Sequence, residues 1–290
     1  MKRAGYLIAL PFIYFISLAP FWLLYLISDF FFVLVFYVIR YRRKVVEGNL
    51  RRSFPEKSNE EVLSLSRDFY RYFCDLLLET FKTLTISAEN MAKHCYFEAD
   101  SVKLINQLYA DKKSIIIVLG HLGNWEWAGN AFSMQCKHQL YVIYHPLTHS
   151  GFNQLMIDMR TRFGTKLIAM KDTFREMTNH KHELTATGFI ADQTPPPETA
   201  HWTNFMHQDT PVFKGTERMA ARFKYPTLYI NVNRVKRGYY EIKVEDVVLN
   251  PEQLPEGQLT EWHTHLLERA IRTNPATWLW SHKRWKHSRK

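Results

Sequence analysis

The run Ile115-Ile116-Ile117-Val118-Leu119, continued directly by Gly120-His121-Leu122-Gly123-Asn124-Trp125-Glu126, decides how the chain is read. The first five residues are apolar and mostly β-branched. A continuous apolar run of this length suits a strand buried on both faces, as in a parallel sheet. Such a strand delivers the next few residues to its carboxyl end, where open α/β sheets place their ligands. Those residues include a histidine between two glycines, with a carboxylate five positions later.

That arrangement has a chemistry. A carboxylate bonded to one imidazole nitrogen fixes the tautomer and stabilises the imidazolium once it forms. The other ring nitrogen can then take a proton from a hydroxyl. Glu126 is expected in the first turn of the next helix, accepting from His121. No protein nucleophile is needed, and the chain carries no GxSxG elbow. Taken by themselves, the two residues read better as a core histidine and a helix-start charge; their place after a buried strand favours chemistry.

Working outward, strand and helix patterns alternate. Strands are predicted at 114–119, 139–144, 165–169, 187–191, 226–232 and 239–248, and helices at 125–135, 151–163, 172–181, 215–224 and 257–273. Ser58 and Glu61 have capping-box spacing and open an amphipathic helix reaching about Leu84. Arg237-Gly238 reads as a tight turn. The fold class is therefore α/β, a central mixed sheet flanked by helices, in one domain over 45–290.

Residues 1–44 read as a membrane anchor. From Ala4 to Ile39 the only formal charge is Asp29, and Arg40, Arg42, Arg43 and Lys44 come next. The stretch exceeds the roughly 20 apolar residues that span a bilayer. Pro20 is expected in the first turn of a helix reaching Arg40. One span and a bent hairpin in one leaflet both fit, and the basic cluster favours a cytoplasmic position for the remainder of the chain. No small-residue cleavage motif comes after the stretch.

The net charge of +10 calls for an anionic partner surface. Lys283, Arg284, Lys286, Arg289 and Lys290 concentrate part of it at the C-terminus. No RRM, KH or zinc-finger pattern accompanies the charge, so nucleic acid is not the expected partner. The histidines and the three cysteines lack metal-ligand spacing, so no metal site is expected and the thiols are expected reduced.

Gly120-His121-Leu122-Gly123-Asn124-Trp125-Glu126 resembles the GHxGNWE signature of the bacterial lipid A biosynthesis acyltransferases, within the wider lysophospholipid acyltransferase superfamily. Arg160-Thr161-Arg162-Phe163-Gly164 resembles the arginine block of that family, with Arg160 favoured over Arg162. Ile190-Ala191-Asp192-Gln193 resembles its strand-end Asp-Gln block. Phe213-Lys214-Gly215-Thr216 resembles the acceptor-side block, with Lys214 where glycerolipid relatives carry Glu. Residues 275–286 resemble its closing Trp-x-His-x-Arg-Trp-Lys segment.

The resemblance implies transfer of a fatty acyl chain from acyl carrier protein or acyl-CoA to a hydroxyl of a lipid A precursor or a related anionic lipid. It implies no metal or tightly bound cofactor. The setting it implies is the cytoplasmic face of the cell inner membrane. His121 would be the general base and Glu126 its partner. Arg160, Asp192, Gln193, Gly215 and Asn124 would bind substrate. Rival expectations are acylation of another membrane lipid, hydrolysis by the same dyad, and lipid binding without catalysis.

Overall fold

The computed structural model describes residues 2–289, so Lys290 of the basic C-terminus lies outside the described residues. Helices α1 (Lys2–Leu18) and α2 (Phe21–Val33) come first, and α2 continues as a π-helical turn over Leu34–Ile39. They are succeeded by α3 (Arg43–Ser53), α4 (Asn59–Lys82), α5 (Ala88–His94), β1 (Cys95–Phe97) and α6 (Ala99–Ala110). Next come β2 (Ile115–Leu119), α7 (Trp125–Gln135), β3 (Gln139–Tyr144), α8 (Ser150–Thr161) and β4 (Lys166–Ala169). Then α9 (Thr173–Asn179), β5 (Thr185–Ile190), β6 (His201–Phe205) and β7 (Gln208–Val212) lead to α10 (Gly215–Phe223). The chain closes with β8 (Thr227–Lys236), β9 (Tyr239–Val248) and α11 (Gln258–Thr273).

Seven strands form one mixed sheet in the order β1-β9-β8-β2-β5-β3-β4, and β6 and β7 form a separate hairpin. Within the main sheet only β8 and β9 pair antiparallel. The run Ile115–Leu119 is central, between β5 and β8, and all five residues are buried. That burial explains why it shows no apolar/polar alternation.

The six predicted strands and five predicted helices are all present, with ends shifted by a few residues. The capping box is present too: Glu61 N–H donates to Ser58 Oγ at 3.2 Å and Ser58 N–H to Glu61 Oε2 at 2.8 Å. The β6–β7 hairpin, β1, α3, α5 and α6 are additional to the predicted elements. The hairpin turns on Met206 and His207, with φ of 53° and 63°. A two-residue turn of that kind usually carries Asn-Gly or Asp-Gly, so Met-His gives no signal.

Helices α1 and α2, joined through Ala19 and Pro20, each lie against α4. Leu24, Ser28, Phe32 and Phe36 recur every fourth residue and are buried. The opposite face exposes Trp22, Leu26, Phe30 and Val33, and α1 exposes Phe12 and Phe15. Pro20 sits at the cap of α2, one residue before its first turn, with φ of −63°.

Polar ties hold these two helices to the rest of the chain. Ser28 Oγ donates to Asp75 Oδ1 at 2.6 Å, and Lys82 Nζ donates to the carbonyls of Ser17 and Ala19, each at 2.8 Å. Arg237 bridges Asp29 and Asp75 at 2.6 and 2.7 Å. Phe21–Ile39 is, among the described residues, the one helical stretch long and apolar enough to cross a membrane.

Candidate active site

β2 and β5 run parallel and end side by side, Leu119 opposite Ile190. His121 leaves the end of β2 and Asp192 the end of β5, which brings together two residues 71 positions apart in sequence. Asp192 Oδ1 lies 2.5 Å from His121 Nδ1, and Asp192 Oδ2 accepts from His121 N–H at 2.8 Å. Trp278 Nε1–H donates to the same Oδ2 at 2.8 Å. Burial pushes the Asp192 carboxyl up, but the His121 charge and these donors outweigh it and hold the group down at about 2. An ionised carboxylate on Nδ1 fixes the tautomer that leaves Nε2 as the proton acceptor.

The loop carrying His121 is fixed from several sides. Gly123 has φ of +60°, and a Cβ there would meet the Val232 carbonyl at 2.0 Å, so both conformation and space demand glycine. Gly123 N–H donates to the Thr277 carbonyl at 3.1 Å, and Leu279 N–H to the His121 carbonyl at 3.1 Å. Tyr72 Oη donates to the Gly123 carbonyl at 2.5 Å. The closing Trp-rich segment thus forms a short bridge against the histidine loop.

Glu126 does not take the place expected for it beside the imidazole. It lies in the first turn of α7, where the helix direction carries it toward α8. There Arg160 grips it with two parallel bonds, Nε to Oε2 at 2.8 Å and Nη2 to Oε1 at 2.6 Å. Burial works against the charge on both groups. The pairing overcomes it, lowering the Glu126 pKa and raising that of Arg160. Asp192 therefore holds the position next to His121 that the spacing of the motif suggests for Glu126.

Asn124 is fully buried and is not a wall of the site cavity. Its Oδ1 caps α7 by accepting from Trp127 N–H at 2.9 Å, and its Nδ2 donates to Glu79 Oε2 at 2.9 Å. Gly215 opens α10 on another part of the surface, beside Lys214, whose ammonium pairs with Glu256 at 2.8 Å. It is not part of the cavity wall either. Arg162 also turns away, donating to the Thr83 carbonyl at 2.5 Å. Arg160 is thus the arginine of that block that meets the cavity.

The cavity has a volume of about 550 Å³. His121, Trp125, Glu126, Arg160 and Gln193 form its polar side; Val142, Leu147, Met156, Met170 and Ile190 are among its apolar walls. Gln193 Nε2 lies 3.3 Å from His121 Nε2, and the Trp125 ring stands edge-on to the imidazole at 5.0 Å. Among the described residues, no group of three His, Cys, Asp or Glu is placed to hold a metal ion.

Sequence reasoning misses two sets of residues. The first is the ring around Glu79, whose carboxylate is buried on α4. It accepts from Tyr25 Oη at 2.9 Å, Asn124 Nδ2 at 2.9 Å and Tyr240 Oη at 2.7 Å. Its signal is present in the chain: Glu79 and Asp75 share the buried face of α4 with Tyr72 and Leu76. A carboxylate on such a face requires partners.

The second set lies behind Asp192, where a small cavity of about 10 Å³ is lined by Asp192, His263, Thr264 and Arg284. Arg284 Nη2 donates to the Pro211 carbonyl at 2.7 Å, while its Nε and Nη1 and His263 Nε2 are buried without a bonding partner among the described residues. Burial pulls the Arg284 pKa down to about 10, with Asp192 opposing the shift. Its place in a run of basic residues suggests a solvated tail, and the fold buries it instead.

A family model described as bacterial lipid A biosynthesis acyltransferase matches residues 2–287, nearly the whole chain. No curated protein matches the chain. The match extends from α1 through the histidine loop, the arginine of α8 and the Trp-rich closing segment. The chain belongs to the bacterial lipid A biosynthesis acyltransferase family and is an acyltransferase.

Proposed function

We propose that the chain moves a fatty acyl group from a thioester donor, acyl carrier protein or acyl-CoA, to a hydroxyl of a lipid A precursor or a closely related anionic lipid. The observation that carries this reading is the His121–Asp192 pair at the wall of a largely apolar 550 Å³ cavity. Nε2 of His121 takes the hydroxyl proton as the oxygen attacks the thioester carbonyl. The tetrahedral intermediate then collapses with cleavage of the C–S bond, and the proton on His121 passes to the leaving thiolate. Asp192 stabilises the transient imidazolium. Arg160, fixed by Glu126, holds positive charge at the cavity wall for the developing oxyanion or an acceptor phosphate.

The exposed apolar faces of α1 and α2 support action at a lipid surface, the two helices lying in one leaflet. If α2 crossed the bilayer while packed on α4, it would carry Asp75, Arg234 and Arg237 into hydrocarbon with it. Each charge there costs about 3 kcal/mol or more. An apolar outer face, with the inner face fixed to α4 beside the ion-paired Asp75, suits helices that dip into one leaflet instead. The basic surface suits anionic headgroups and an acidic carrier protein on the cytoplasmic side.

The test is transfer of labelled acyl chains from acyl carrier protein to a lipid A precursor in mixed micelles. The wild-type chain should acylate the acceptor, and His121→Ala should lose about 10³-fold in kcat. Full activity in His121→Ala would remove the base assignment. Free fatty acid as the main product in the presence of acceptor would make the chain a hydrolase.

A further inference from the structure

Beside the site cavity, on the inner side of Trp125, lies a smaller one of about 40 Å³. Trp125, Gly129, Val142 and Ile190 belong to the walls of both. The inner space lies between α7 and the sheet, and apart from the Trp125 indole its side chains carry no polar atom. β2 and β5 run toward His121, so Leu119 and Ile190 are near the mouth, and Ile117 and Gly188 lie deeper. α7 runs the opposite way, with Phe132 about 10 Å beyond Trp125 at 1.5 Å per residue. A water-filled space would need polar partners; this one suits the end of a hydrocarbon chain.

Two glycines stand on its opposite walls. Gly129 is inside α7, where alanine is the better helix former. A Cβ on Gly129 would meet Leu140 Cδ2 and Val142 Cγ2 at 3.9 Å and Thr165 Oγ1 at 4.0 Å, all ordinary contacts. Gly188 is inside β5, and its nearest contact would be Val142 Cγ2 at 3.5 Å. Neither position has the backbone conformation that demands glycine, and neither is short of space. What a side chain would remove at either place is the inner cavity itself.

We propose that this inner cavity takes the methyl end of the donor's acyl chain, and that Gly129 and Gly188 set the longest chain accepted. The proposal rests on the transfer reading above and assigns a specificity role to Gly129 and Gly188.

The experiment measures kcat/KM for the full chain, Gly129→Ala and Gly188→Ala with acyl carrier protein donors bearing saturated chains of graded length. Gly188→Ala should keep the wild-type rate with short donors and lose about tenfold or more with the longest donors, since one methylene in an apolar pocket discriminates on that scale; Gly129→Ala should lose more with long donors than with short ones. Gly129→Ala should melt at or above the wild-type temperature, which separates a filled cavity from a damaged fold. Phe132→Leu should shift preference the other way, toward longer chains. A wild-type length profile in a stable Gly129→Ala would overturn the proposal. So would an equal loss at every chain length. A wild-type chain that transfers from no donor would instead overturn the transfer reading, and the proposal with it.

Discussion

Glu126 is bonded to Arg160, not to His121: the guanidinium fork meets both carboxylate oxygens, at 2.8 and 2.6 Å. The carboxylate five positions after the histidine therefore aims an arginine rather than an imidazole. A planar fork with two parallel bonds is a geometry that lysine cannot reproduce.

Removing either partner alone leaves a charge in a largely buried place. Glu126→Gln and Arg160→Met should each destabilise the chain by about 3 kcal/mol. The double variant should cost less than the sum of the two. Denaturant melts of all four proteins check this. Additive effects would show that the pair contributes little to stability. Arg160→Lys should fold, yet lose activity by a larger factor than its stability loss predicts.

Asp192→Asn should leave the fold intact and reduce kcat by about 10³-fold or more, because an amide no longer favours the tautomer with a free Nε2. Steady-state kinetics with circular dichroism separates the two effects. Activity within a few-fold of wild type would mean that the Asp192 bond to His121 is structural only.

His263 makes acid sensitivity measurable apart from catalysis. Burial holds its pKa down, to about 4 against an ordinary 6.5. The unfolded chain then takes up a proton that the folded chain refuses. Stability from this group is complete above pH 6.5 and falls as the pH drops from 6.5 toward 4. The slope is about 1.4 kcal/mol per pH unit, roughly 3 kcal/mol across the window. His282, which burial also pulls down to about 4, acts in the same direction. Denaturant midpoints at pH 7, 6 and 5 should fall less steeply in His263→Asn than in wild type. Parallel curves would exclude His263 as the source.

Glu79→Gln should be mild, since the Tyr25 hydroxyl can turn to accept from the new amide. Glu79→Ala should strand three donors, each at about 1–3 kcal/mol. In Glu79→Ala, cleavage at the turn between α1 and α2 should become faster and acyl transfer should fall. A change in one without the other would separate the packing of these helices from the site.

Much of the fold and site is legible in the sequence. The apolar run before His121 marks the central strand, Ser58 and Glu61 mark the start of α4, and the Arg160 and Asp192 blocks mark two more walls of the site. Pairing at long range is what sequence reasoning misplaces. The spacing of His121 and Glu126 suggests a local bond. Gly123 turns the chain so that α7 presents Glu126 to α8, while parallel pairing of β2 with β5 supplies Asp192 from far along the chain. Gly215 matches by type, yet Lys214 beside it is paired with Glu256 elsewhere on the surface. The β6–β7 hairpin lacks turn residues, and nothing in local pattern places Arg284 behind Asp192.

Glu79 has a consequence for how the chain senses its surroundings. One buried carboxylate accepts both from Tyr25, on α2, and from Asn124, which caps the helix bearing Glu126. The N-terminal helices and the base of α7 thus meet at one carboxylate, through its two different oxygens. A change that draws α2 away from α4 leaves Glu79 with one partner fewer, and its remaining bonds to Asn124 and Tyr240 carry the whole charge.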